Sequence, residues 1–73
     1  MNEEFKLRIY AKGELAMLYF PSRSKEAATR MLLRWIHNCK GLVKELKKYG
    51  YGSPRRFYTK KEVETIVKYL GEP

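Results

Sequence analysis

Arg30 and Arg34 stand one helical turn apart and His37 follows at the next turn, so a helix through them carries one basic stripe. An α-helix fits the major groove of DNA, where an arginine fork donates two hydrogen bonds to a guanine edge. Ser24, Lys25 and Thr29, nearer the start of the same helix, are of the types that reach phosphates or base edges. A second basic group lies further on: Arg55 and Arg56 follow a Gly52-Ser53-Pro54 tip, and Tyr58, Lys60 and Lys61 come directly after. A turn with cations at its tip, beside a helix, touches the phosphate backbone while the helix occupies the groove. Taken singly, either group is also what the solvated face of an ordinary basic domain looks like.

Catalysis has little to work with. His37 has no acid or nucleophile near it in sequence, and Cys39 falls on the apolar side of its helix, where a lone cysteine serves as a small hydrophobic residue. The glycines are too scattered for a phosphate loop or a dinucleotide fingerprint. With one Cys and one His, the chain builds neither a disulfide framework nor a zinc site of its own. The expectation is a binding domain that is not an enzyme and needs no cofactor or metal.

Charge agrees with a polyanionic partner. Sixteen Lys and Arg face eight Asp and Glu among 73 residues, a net charge of +8. The first twenty residues nearly cancel, whereas residues 21–40 set five cations against Glu26 alone, so the excess is gathered rather than spread. Apolar residues make up 44% of the chain, too many for a disordered basic tail. The longest uncharged run, Leu15 to Ser22, is far short of the ~20 residues of a membrane span. Glu3, Glu4, Lys6 and Arg8 interrupt any signal peptide. These features predict a cytoplasmic location, nucleoid-associated if the partner is DNA.

The elements that position these groups follow from hydrophobic spacing. Phe5, Leu7 and Ile9 alternate with Lys6, Arg8 and Tyr10, which predicts a half-buried strand with the first three inward. A helix over Lys12 to Phe20 ends at Pro21. Lys25 to about Cys39 is the strongest helix, with Ala28, Met31, Leu32, Trp35, Ile36 and Cys39 on its apolar side and Trp35 expected in the core. Leu33 sits on the polar edge, where this helix gives it no packing role. Gly41 separates a shorter helix in which Leu42, Val43, Leu46 and Tyr49 face inward, Lys44, Lys47 and Lys48 face out, and Gly50 is a left-handed cap.

Residues 51–58 read as a turn or small hairpin whose aromatics, with Tyr49, form either a second cluster or an exposed surface. Thr59 and Glu62 then form a capping box, with Tyr58 and Val63 as hydrophobic staple, for a last helix that ends at Gly71. The segments Tyr10-Ala11-Lys12-Gly13-Glu14-Leu15 and Tyr58-Thr59-Lys60-Lys61-Glu62-Val63 share this helix-start device, the first with a weak cap at Ala11.

Two resemblances attach to these residues. Lys12-Gly13-Glu14-Leu15-Ala16, a turn, a helix holding Leu33-Arg34-Trp35, and Arg56-Phe57-Tyr58-Thr59 before a final helix resemble the winged-helix reader of MerR-type regulators. That likeness implies groove and phosphate contacts from Ser24 to Arg34, and a wing at Arg55, Arg56 and Tyr58. The helix to Cys39 is longer than in that family, an extra helix follows it, and the dimerising coiled coil and effector region are absent. Over nearly the whole chain, the sequence also resembles a family of short, uncharacterised Bacteroides-type proteins, a domain of unknown function. It does so through Phe5-Lys6-Leu7-Arg8, Leu18-Tyr19-Phe20-Pro21, Arg34-Trp35-Ile36 and Tyr69-Leu70-Gly71-Glu72-Pro73.

The expected architecture is one small basic domain over residues 1–73, mainly α with a small β element, with about four helices in a winged helix-turn-helix-like arrangement. The expected function is binding of double-stranded DNA, as a regulator or mobile-element accessory, with helix 25–39 in the groove and turn 51–58 as the wing. Docking of an acidic protein partner, or RNA binding, are the other readings these residues admit.

Overall fold

A computed structural model describes residues 5–50 and 56–73. Four helices and a two-stranded sheet follow in the order β1 (Tyr10–Ala11), α1 (Lys12–Tyr19), α2 (Lys25–Asn38), α3 (Lys40–Lys47), β2 (Phe57–Tyr58) and α4 (Lys60–Leu70). The fold is therefore mainly helical with a small β element, as expected. No helix among the described residues is long and apolar enough to cross a membrane.

The strands pair antiparallel, Tyr10 opposite Tyr58 and Ala11 opposite Phe57, and the Lys12 amide extends the ladder by donating to the Arg56 carbonyl at 2.9 Å. Each strand runs straight into a helix, so the two similar helix starts of the sequence lie side by side. At α4 the capping box is complete: Thr59 Oγ1 accepts from the Glu62 amide at 3.3 Å, and Glu62 Oε1 accepts from the Thr59 amide at 2.9 Å. At α1 only half of it exists. Glu14 Oε1 accepts from the Ala11 amide at 3.3 Å, and alanine has no side-chain oxygen to return the bond.

The core is one cluster: Tyr10 and Tyr58 from the strands, Leu15 and Ala16 from α1, Ala28, Leu32 and Ile36 from α2, Leu42 and Leu46 from α3, Val63 and Ile66 from α4. α1 packs on α2, α2 on α3, and α3 on α4. Tyr58 and Val63 are both buried, as a staple across the Thr59 cap requires. Gly50 and Gly71 both take positive φ, +83° and +87°, at the ends of α3 and α4.

Several expectations are corrected. The amino-terminal segment does not alternate and residues 5–9 are not a strand: Leu7 and Ile9 are exposed along with Lys6 and Arg8, Phe5 is partly buried, and Tyr10 is buried. The ladder is only two residues long, and Tyr10 is the residue that faces the core from it. Its hydroxyl is satisfied by donating to the Lys6 carbonyl at 2.8 Å, and Phe5 stacks on its ring at 5.5 Å. Trp35 is 45% exposed rather than central. α1 and α3 are the helices packed most closely on α2, and the fully buried arc is the narrow one through Ala28, Leu32 and Ile36. Trp35 sits at its edge, packed edge-on against Phe20 at 4.8 Å.

The break between α2 and α3 falls at Cys39, not at Gly41. Cys39 leaves helical angles (φ −103°, ψ 96°), whereas Gly41 lies inside α3, where a Cβ would meet the Tyr69 ring at 3.1 Å. The glycine is there for close approach of α4. Tyr49, past the end of α3, is exposed rather than inward. The strand β2 pairs with β1; the expected hairpin tip at 51–55 lies outside the described residues.

Thr59→Ala removes the acceptor for the Glu62 amide and should cost about 1 kcal/mol, lowering the thermal midpoint by roughly 4–8 °C for a domain of this size. Ala11→Ser supplies the acceptor that α1 lacks and should raise the midpoint. Thermal unfolding followed by circular dichroism checks both, and an unchanged midpoint for Thr59→Ala contradicts the capping account.

Candidate functional site

The side of α2 opposite Ala28, Leu32 and Ile36 bears Arg30, Leu33, Arg34 and His37, which together line an open depression of about 300 Å³. A second depression of about 280 Å³ is lined by His37, Lys40, Val43, Lys44 and Lys47. His37 borders both, so the two shallow depressions adjoin at the α2–α3 junction as one basic surface, the furrow. Arg30, Arg34, Lys40, Lys44 and Lys47 give the furrow five basic side chains, and among the described residues no carboxylate lines it. Like charges gathered in one concave surface raise the local positive potential and draw polyanions to it. Its floor is not wholly polar, because Leu33 and the partly buried Val43 lie among the cations.

α3 turns its lysines to this side because Leu42 and Leu46 bury the other. α4 fixes that orientation. The Tyr69 ring rests over Gly41, and Lys68 Nζ reaches Glu45 Oε1 at 3.5 Å. The Tyr69 hydroxyl, first, and the Lys68 ammonium hold the Glu45 carboxyl below its ordinary value, against the desolvation that would raise it. Glu45 Oε2 is buried without a hydrogen-bond partner, so the approach of Tyr69 is looser than a formed hydrogen bond. On the other side of the molecule Arg8 Nη2 pairs with Glu14 Oε2 at 3.0 Å and likewise holds the Glu14 carboxyl down.

The residues singled out from sequence divide into groups. Arg30, Arg34 and His37 come together as expected. Ser24 caps α2, its Oγ accepting from the Ala27 amide at 3.2 Å, and the Thr29 hydroxyl donates back to the Lys25 carbonyl at 2.7 Å. Both are occupied by their own helix. Lys25 lays its stem along the space left by Gly13 at the start of α1, away from the arginine stripe. Arg56, Lys60 and Lys61 are exposed around β2 and the start of α4, with the Lys61 ammonium 6.0 Å from the Tyr49 ring. Tyr58 is withdrawn as a contact residue: at 1% exposure its side chain is core. Arg55 lies outside the described residues.

Sequence reasoning missed Lys40, Val43, Lys44 and Lys47 as a continuation of the arginine stripe. The outward spacing of Lys44 and Lys47 was visible; the turn at Cys39 that aligns α3 with α2 was not. Among the described residues no three His, Cys, Asp or Glu side chains gather as a metal site would require.

The chain belongs to the DUF4248 family, a domain of unknown function, which matches residues 6–73. No curated protein and no solved structure matches it.

Carboxyls held below their ordinary value add stability that is fully present above the unfolded value and is lost as pH falls through the folded one. The contributions of Glu45 and Glu14 should therefore begin to fall as pH drops below the ordinary carboxyl value of 4.5. Glu45→Gln should lower the thermal midpoint at about pH 7 and by progressively less as the pH is taken down to about 3. A deficit of equal size at both pH values contradicts the Glu45 clamp.

Proposed function

We propose that the chain is a DNA-binding domain that seats the outer face of α2 in the major groove, with the lysines of α3 on the adjoining phosphate backbone. The observation that carries this reading is the pair of adjoining depressions on α2 and α3, with five basic side chains and, among the described residues, no carboxylate in their lining. A helix is about 10–12 Å across with its side chains, and the major groove is about 12 Å wide. Guanidinium forks suit guanine edges and phosphates, whereas lysines act on phosphates as point charges. Arg30 and Arg34 are accordingly the reading groups, and Lys40, Lys44 and Lys47 the positioning groups. Arg56, Lys60 and Lys61 supply a further basic group for the backbone, of which Arg56 belongs to the segment that the MerR-type likeness gives to a wing. Such a domain acts at the nucleoid, as a regulator or a mobile-element accessory.

Duplex is favoured over single strands, because single-strand binders stack bases on aromatic rings and no Phe, Tyr or Trp lines the furrow. An acidic protein segment is the competing occupant, since Leu33 and Val43 offer it apolar anchors.

Affinity for duplex DNA should fall linearly with salt on logarithmic axes, with a slope of roughly −4 to −5 if all five cations meet phosphates. Lys44→Ala with Lys47→Ala should weaken all duplexes alike and flatten the slope by about two. Arg30→Ala or Arg34→Ala should cost about 1–3 kcal/mol on a preferred duplex and less on random sequence. Fluorescence-anisotropy titrations at several salt concentrations check this, with circular dichroism to confirm that each variant is folded. Undiminished duplex binding by the variant that combines Arg30→Ala, Arg34→Ala, Lys44→Ala and Lys47→Ala contradicts the reading.

A further inference from the structure

We infer that Leu33 reads the 5-methyl group of a thymine lying one or two base pairs from a guanine held by Arg30, so that the ligand of the furrow is thymine-containing duplex DNA. This rests on the DNA-binding reading above and sharpens it.

Leu33 has no part in the core. The buried arc of α2 is Ala28, Leu32 and Ile36, while Leu33 is 39% exposed and lines the furrow with Arg30, Arg34 and His37. It lies three residues after Arg30 and directly before Arg34, at the edge of the cationic stripe where that face meets the apolar side. An apolar side chain there gains nothing from water and adds nothing to phosphate binding, which is electrostatic. It gains only if the surface that fills the furrow presents an apolar group among its polar ones. On the edges of base pairs in the major groove, the thymine C5-methyl is such a group, and the rest of the pattern is donors and acceptors.

Helical rise sets the register. Arg30 and Leu33 are about 4.5 Å apart along the axis, and Leu33 and Arg34 about 1.5 Å. Base pairs stack about 3.4 Å apart. Leu33 shares its side of the helix with Arg30, three residues back, so the methyl read by Leu33 lies one or two base pairs from a guanine gripped by that fork.

The same chemistry separates DNA from RNA. Uracil has no 5-methyl group, and the major groove of A-form RNA is too deep and narrow for side chains to read.

The experiment begins with duplexes selected by the chain from a randomised pool. Thymines of the selected duplex are then replaced one at a time by deoxyuridine, which deletes only the methyl. With wild-type protein, one replacement one or two base pairs from a guanine should weaken binding about fourfold, the value of one buried methyl-sized group. Leu33→Ala should bind the thymine duplex about as weakly as wild type binds the deoxyuridine one, and should not distinguish the two. Leu33→Met, which keeps an apolar reach, should retain the distinction. Neither variant should shift the thermal midpoint appreciably, because Leu33 is outside the core.

A wild-type chain that needs Arg30 and Arg34 for duplex binding, yet ignores every deoxyuridine replacement or selects no sequence at all, overturns the role of Leu33 and leaves the DNA-binding reading standing. A chain that retains no duplex overturns both, and the leucine then belongs to the contact with an acidic protein segment.

Discussion

The fold depends on a very short ladder. Two residues before α1 and two residues before α4 pair across the intervening chain, Tyr10 against Tyr58. Closing so long a loop costs conformational entropy, and two strand residues a side offer few hydrogen bonds to offset it. What offsets it is burial. Both tyrosines are inside, each of a size that removes about 150–250 Å² of surface from water. Because each strand passes straight into a helix, the pairing also fixes where α1 and α4 start. α2 then packs on α1 and α3 on α4, so the direction of the α2–α3 furrow is inherited from the tyrosine pair. The capping box at Thr59 and its half-formed counterpart at Ala11 hold the two helix starts to that pairing.

Much of this was legible in the residues. The α4 start could be read from Thr59 and Glu62 because both partners of the box lie within one turn. α2 could be read from its spacing, and the likeness of the Tyr10 and Tyr58 segments was visible before their pairing was. The parts that failed depend on contacts between elements. Trp35 has the right spacing for the core, but its burial is decided by where the neighbouring helices lie on α2, and the closest of them, α1 and α3, leave it at the edge. The alternation at Phe5 to Ile9 could not show that Tyr10, paired with Tyr58, would take the inward side. Gly41 looked like a helix break because glycine often is one; its reason is the Tyr69 ring packed against it. Tyr58 was read as a contact residue through the MerR-type likeness, although the staple with Val63 already implied a packed side chain.

The candidate site was half legible for the same reason. The Arg30, Arg34 and His37 stripe follows from helical spacing alone. Its continuation through Lys40, Lys44 and Lys47 depends on the turn at Cys39, which no proline or glycine announces. Gathering five cations in one furrow costs stability through mutual repulsion, and a 73-residue chain has little stability to spare. The clamp of α4 on α3 through Tyr69, Lys68 and Glu45 holds the lysine-bearing helix against that repulsion. Bound phosphates would relieve it directly.

The central claim is that the α2–α3 furrow is the surface that meets duplex DNA. Amide chemical-shift mapping of the isotope-labelled chain during titration with a short duplex tests it most directly. The account predicts the largest changes in a continuous band from Arg30 through His37 to Lys47, with little change at Leu15 or Ile66 in the core. Changes centred instead on Ile9, Trp35 or Phe57, with the band from Arg30 to Lys47 unmoved, would contradict it.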